Sequence, residues 1–103
     1  MTVADWLRER DPAPPARLAM RIANAIGGRD AETSDPGVIC LESCETLLAD
    51  VAARPSPGRE SALDLLAADA LATYALEAAA ESPVSLEARA HDAMKRLSAI
   101  AGG

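Results

Sequence analysis

Phenylalanine is absent from this chain, and Trp6 and Tyr74 are its only aromatic residues. Without large rings the core must be assembled from aliphatic and small side chains, and alanine dominates. Small side chains let helix backbones approach closely, but at about 25 cal/mol per Å2 each alanine adds little through burial. Association with a second copy would supply the missing burial. Long uncharged runs are missing too. Even the most apolar stretch is interrupted by Asp64, Asp69 and Glu77, short of the roughly 18 apolar residues a spanning helix needs, so no membrane span is expected. Met1–Asp11 is charged and lacks the continuous apolar segment of a secretory signal. Two cysteines without such a signal fit a reducing compartment, and the expected location is the cytoplasm. No run alternates with period two and no hairpin dipeptide separates apolar strands, which excludes a sheet.

What is present is acidic and unevenly charged. The net charge is −6: residues 1–29 carry five arginines against three acids, residues 30–81 two against eleven, and residues 82–103 return to a small positive excess. A mainly acidic surface repels phosphate backbones, so nucleic acid is not the expected partner.

The stretch around which the rest is organised is Arg59 to Glu81, RESALDLLAADALATYALEAAAE. Wound at 3.6 residues per turn, it places Leu63, Leu66, Ala67, Ala70, Tyr74 and Ala78 on one face, the expected core stripe. The other side carries Ala62, Leu65, Ala72, Thr73 and Leu76, with Leu71 and Ala75 on the flank. Only Glu60, Asp64 and Ala68 read as a solvated edge. A helix apolar over most of its circumference is normally covered by neighbours on more than one side, so it is expected to lie at the centre and to offer Leu65, Leu76 and Leu71 to a second chain.

Before it, Thr2 can cap a short helix through VADWLRER, and the prolines at 12, 14 and 15 break it. A second helix from about Pro14 to Ile26 turns Leu18, Ile22, Ala25 and Ile26 inward and stops at Gly27-Gly28. Its outer edge holds Arg17, Arg21 and Asn24, read as a solvated face pairing with acidic helices or as an anion or partner site. A polar loop, RDAETSDPG, leads to Asp35-Pro36 as cap and first turn of a third helix, whose stripe is Leu41, Cys44, Leu48 and Val51 with Cys40 and Leu47 beside it. After the central helix, Ser82 or Ser85 can cap a last one carrying Leu86, Ala90, Ala93, Met94, Leu97 and Ile100. These elements predict one domain over residues 1–103, an all-α antiparallel bundle of four main helices plus a short N-terminal helix.

Candidate chemistry is sparse. Cys40 and Cys44 lie four apart on one helix, a spacing looser than structural zinc sites use, and the only histidine, His91, sits on another helix; buried thiols are expected, and no metal. His91 stands midway between Glu87 and Lys95 in an i,i+4 ladder and lacks the orienting partner a general base needs. Glu42 with Glu45, or Glu77 with Glu81, lack the Glu-x-x-His partner of a di-iron site. Asp69 is the most informative residue. Projected among Ala62, Leu65, Leu66, Thr73 and Leu76, it is expected to be partly desolvated and to need a partner, either Thr73 one turn on or an arginine from the second helix, fixing the helix register. Gly102-Gly103 reads as a helix end.

LLAADALATYALEAAAE resembles the helix of trans-type isoprenyl diphosphate synthases that reads as an apolar run, then Gly-Asp-Ala-Leu, then Ala-x-Glu. Ala68-Asp69-Ala70-Leu71 stands for that tetrapeptide, with alanine in place of glycine, and Ala75 and Glu77 fall in step. PVSLEARAHDAMKRLSAIAGG is similar to the family's following helix, ARLAMRIANAIGG to an early one, and LESCETLLADVAA occupies the place of its substrate helix. The family's Asp-Asp-x-x-Asp motif, which holds magnesium, is missing, as are the Arg-Arg-Gly element and the second aspartate-rich helix. The resemblance therefore implies a catalytically silent relative that keeps the helical packing.

Two functions follow as expectations. One is a non-enzymatic interaction or regulatory module, self-associating through a helix face and needing no cofactor, with opposite charges available to pair within or between chains. The alternative is an apolar small-molecule binder, for a prenyl chain if the resemblance holds, in a slot between helices. A continuous apolar cavity would favour the binder, and a filled core with an exposed apolar stripe the partner module.

Overall fold

The computed structural model describes residues 2–29, 35–56, 58–81 and 86–102. Those residues form five α-helices and no strand: α1 (Val3–Arg8), α2 (Ala16–Ile26), α3 (Pro36–Ala53), α4 (Arg59–Ala80) and α5 (Leu86–Gly102), with a single 3-10 turn over Gly27–Arg29.

Local chemistry sets the ends. The Thr2 hydroxyl accepts from the Asp5 amide while the Asp5 carboxylate accepts from the Thr2 amide, each at 3.1 Å, so two otherwise unpaired donors of the first turn are satisfied together. The second of these bonds favours the charged carboxylate: the Thr2 amide, followed by the Thr2 side chain, holds the Asp5 carboxyl below its usual range. Gly27 closes α2 at φ 51°, a left-handed conformation that glycine enters without steric cost. Asp35 caps α3 by accepting from the amides of Gly37 at 2.9 Å and Val38 at 3.5 Å, with Pro36 in the first turn. The caps expected at Ser82 or Ser85, the loop of 30–34, the side chain of Leu86 and Gly103 lie outside the described residues.

The closest helix pair is α3 with α4. A side chain on buried Gly37 would stand 3.1 Å from the Ala78 Cβ and 3.5 Å from the Ala75 carbonyl oxygen, so the start of α3 lies backbone-close to the last turns of α4. At the other end Arg54, just past α3, reaches Ser61 and Asp64 in the first turns of α4. The two helices therefore run in opposite directions. Helices α2 and α5 also pack on α4, so it is covered from three neighbours, as its apolar circumference requires. The core is one cluster fed by every helix, from Val3 and Trp6 through Ile22, Cys40, Leu47 and Leu71 to Ala93.

The rotational setting of α4 differs from the one its periodicity suggests. Its buried residues are Ser61, Asp64, Ala67, Ala68, Leu71, Ala75, Ala78 and Ala79, a stripe that takes in the expected flank and the supposed wet edge. Leu66, expected in the core, is 58% exposed, and Leu71, expected at an interface, is fully buried. A helix apolar on most sides has no strong preferred phase. Small residues decide it here, because α3 can approach only where α4 presents alanine.

Helix α1 is fastened across the far end of α4. Trp6 Nε1 donates to Glu81 at 3.2 Å, and its ring meets Tyr74 edge-on with centroids 6.3 Å apart. The Arg10 guanidinium lies 3.8 Å from the Trp6 ring centre and pairs with Glu81 at 3.3 Å and Glu77 at 3.6 Å. The short helix thus docks by two buried apolar residues and one stacked, doubly paired cation.

Candidate functional site

Three features of the described surface and near-surface are candidates for chemistry or recognition. The first is a buried carboxylate. Asp64 of α4 is 3% exposed and accepts from Arg21 Nε of α2 and from Arg54 Nη2 at 2.6 Å; Arg54 Nη1 also donates to Ser61 at 2.9 Å. One anion thereby ties α2, the turn after α3 and the start of α4. The Arg21 hydrogen bond is the main reason the Asp64 carboxyl is held below its ordinary range, with Arg54 assisting and burial opposing, and the same bond raises Arg21. The open depression beside this cluster is lined by Arg21, Arg54, Glu60, Leu63 and Asp64. Two cations there face two acids, so the site is built to pair rather than to capture an anion.

The sequence places this role at Asp69, whereas in the structure Asp64 holds it. Asp69 lies on the wet side of α4, and exposed Thr73 donates to its backbone carbonyl at 3.0 Å rather than to its carboxylate. A buried acid paired with an arginine of the second helix exists, but five residues earlier. Of the residues expected to pair or fix register, Arg21 does so, whereas Arg17 is exposed. Asp64 and Arg54 were missed. The available signal was spacing: 64, 68, 71, 75 and 78 follow the alternating three-and-four step of a packed seam.

The second feature is apolar surface left open on α4. Leu65 is 47% and Leu76 46% exposed, and with Asp69 and Ala72 they recur at i, i+4, i+7 and i+11, one row along the helix. Met20, Val38 and Met94 are exposed as well. Leu71, named with Leu65 and Leu76 from the sequence, is not part of this surface.

The third is a largely apolar cleft of about 360 Å3 between α1, α2 and α4. Ala4, Leu7 and Arg8 line it from α1, Ala19, Ile22 and Ala23 from α2, and Tyr74 from α4, with Ala13 and Pro14 of the connecting segment. Burial, with Glu77 and Cys40 nearby, pushes the Tyr74 hydroxyl up, so the ring stays neutral at neutral pH.

Cys40 and Cys44 are free and buried, and burial pushes their thiols up to about 12 and about 11. Such thiols are packing groups, not nucleophiles. His91 is exposed. Among the described residues no group of three or more His, Cys, Asp and Glu side chains is placed to hold a metal ion, and no helix is long and apolar enough to cross a membrane.

The chain matches no protein-family model, no curated protein and no solved structure.

Proposed function

We propose that this protein is a non-enzymatic interaction module, an antiparallel bundle of four main helices with α1 as a strap, that pairs with a second copy of itself through the Leu65–Leu76 row. The observation that carries this reading is the near-half exposure of Leu65 and Leu76, in one row on a helix whose other sides meet α2, α3 and α5 and which also leaves Leu66 exposed. The row joins two half-exposed leucines through Ala72 and the exposed Asp69, and pairing with a second copy would cover both leucines at once; an alanine-rich core with no phenylalanine gains from that burial.

Of the two ways the opposite charges could pair, within a chain or between chains, the ion pairs present are of the first kind. Arg10 pairs with Glu77 and Glu81, Arg21 with Asp64, and Arg29 with Glu42 within one chain. Much of the attraction between the basic N-terminal segment and the acidic middle is thus spent inside the monomer, and association rests on apolar burial. The carboxylates of Asp69, near the middle of the row, set a limit on its affinity.

Sedimentation analysis across micromolar concentrations tests this. The expected result is a dimer whose dissociation constant is not raised by added salt, because apolar burial is strengthened rather than screened. The double variant Leu65→Arg, Leu76→Arg should sediment as a monomer with unchanged helicity. A wild-type chain that remains monomeric throughout, or a double variant of undiminished mass, overturns the proposal.

A further inference from the structure

We propose that the cleft between α1, α2 and α4 is a binding site for a medium-chain carboxylate, with its hydrocarbon chain along Ala4, Leu7, Ile22 and Ala23 and its head group on Arg8. The cleft exists because of side-chain size. On α2, Ala19 and Ala23 are one turn apart on the outer side and are exposed, and both line the gap that α1 leaves as it crosses toward the end of α4. Leucine at either position would fill it.

The volume sets the ligand's size. At about 360 Å3 and open to solvent on one side, the cleft is at the small end of the range that holds small molecules, so it suits a single chain of medium length with its head group left at the solvent edge. Clefts of a few hundred Å3 with apolar walls and one or two polar groups are the usual form of small-molecule sites.

The charge of the lining sets the head group. Arg8 is the one charged residue among the lining residues, and no acid joins it there. Its side chain is 74% exposed and pairs through Nη2 with Asp5 at 2.9 Å. A guanidinium has five N–H donors in a planar fork, so a second carboxylate can be held at the solvent edge while Asp5 keeps its place. The opposing wall is also held in advance: Thr2 and Asp5 cap α1, Trp6 is bonded to Glu81, and Arg10 is stacked and paired. A wall already fixed loses little freedom when a ligand enters.

This site is independent of the pairing face. Tyr74 and Leu76 are two positions apart on α4, roughly 160° around the axis once the helical step is applied, and Leu65 projects near Leu76. The monomeric variant Leu65→Arg, Leu76→Arg can therefore be used to test the cleft whatever the fate of the dimer.

The experiment is a titration of that variant and of wild type with decanoate, with decyltrimethylammonium as the same tail bearing the opposite charge, followed by alanine methyl resonances. Decanoate should saturate and shift the methyls of Ala4, Ala19 and Ala23. Ala23→Leu should weaken it by at least about tenfold, and so should Ala19→Leu, which keeps the test valid should either variant fold poorly. Arg8→Gln should weaken decanoate by about fivefold and leave the cationic tail bound as well or better, since a like charge is removed and Asp5 is freed from its partner. Unsaturable binding, shifts centred away from the cleft, or wild-type affinity in both leucine variants would overturn the site. Equal affinity for decanoate and the cationic tail would overturn the assignment of a carboxylate.

Discussion

Arg54 Nη2 stands 2.6 Å from the Asp64 carboxylate, across the turn that joins α3 to α4, and Arg21 of α2 takes the other carboxylate oxygen. Asp64 is almost wholly buried while the two arginines keep about a third of their side chains in water. Removing the acid leaves two partly desolvated cations without their anion, a strongly unfavourable change when burial is complete and a smaller one here. Asp64→Asn should cost about 1–3 kcal/mol in urea unfolding. Asp69→Asn, on the wet side of the same helix, should change the monomer by less than about 0.5 kcal/mol. Equal effects of the two would return the pairing role to Asp69.

The same carboxylate makes stability depend on acid. Its pKa in the folded chain lies below its ordinary 3.8, so the unfolded chain binds a proton first as the pH falls. The stabilisation is complete well above 3.8 and is lost as the pH drops from there through the folded value. The difference in unfolding free energy between wild type and Asp64→Asn should be flat near neutral pH and shrink below pH 3.8. A gap that widens on acidification would contradict the pairing.

Leu71 and Leu76 are five residues apart and have opposite fates. Leu71 is fully buried and Leu76 is 46% exposed. Leu71→Ala should cost about 2–5 kcal/mol, the transfer term plus a cavity. Leu76→Ala, measured where the chain is monomeric, should stay within about 0.5 kcal/mol and instead weaken self-association. Thermal unfolding and sedimentation on the same samples separate the two effects.

The thiols report on opening of the α3–α4 packing. With Cys40 pushed up to about 12 and Cys44 to about 11 by burial, almost no thiolate is present at mildly alkaline pH. An aromatic disulfide reagent should modify the folded chain only as fast as it opens and the denatured chain at once. Fast modification of either cysteine under native conditions would show that α3 is not packed as described.

The helices and their ends were written locally. Thr2 with Asp5, Asp35 with Pro36, and Gly27 each act on backbone groups within a few residues, so the breaks at the proline segment and the glycine pair were readable before any packing was known. The lack of any period-two alternation likewise pointed away from a sheet, and the described residues form no strand. The inward set of α2, Ile22 and Ile26 with Leu18 and Ala25 beside them, was readable because its outer side is polar.

Helix α4 marks where that reading stopped. Its apolar residues surround the axis, so the sequence allowed several rotational settings of nearly equal hydrophobicity, and projection alone favoured Leu66 over Leu71 for the core. Tertiary packing chose among them by two requirements that no single helix contains: a close approach to Gly37, met only by an alanine face, and a buried acid within reach of Arg21 and Arg54. The cleft beside Tyr74 arose in the same way, from where a strap fastened at Glu81 happens to cross two alanines. Local bonding specified which segments are helices, whereas contacts between residues distant along the chain specified which sides of them meet water, because only those contacts distinguish one apolar face from another.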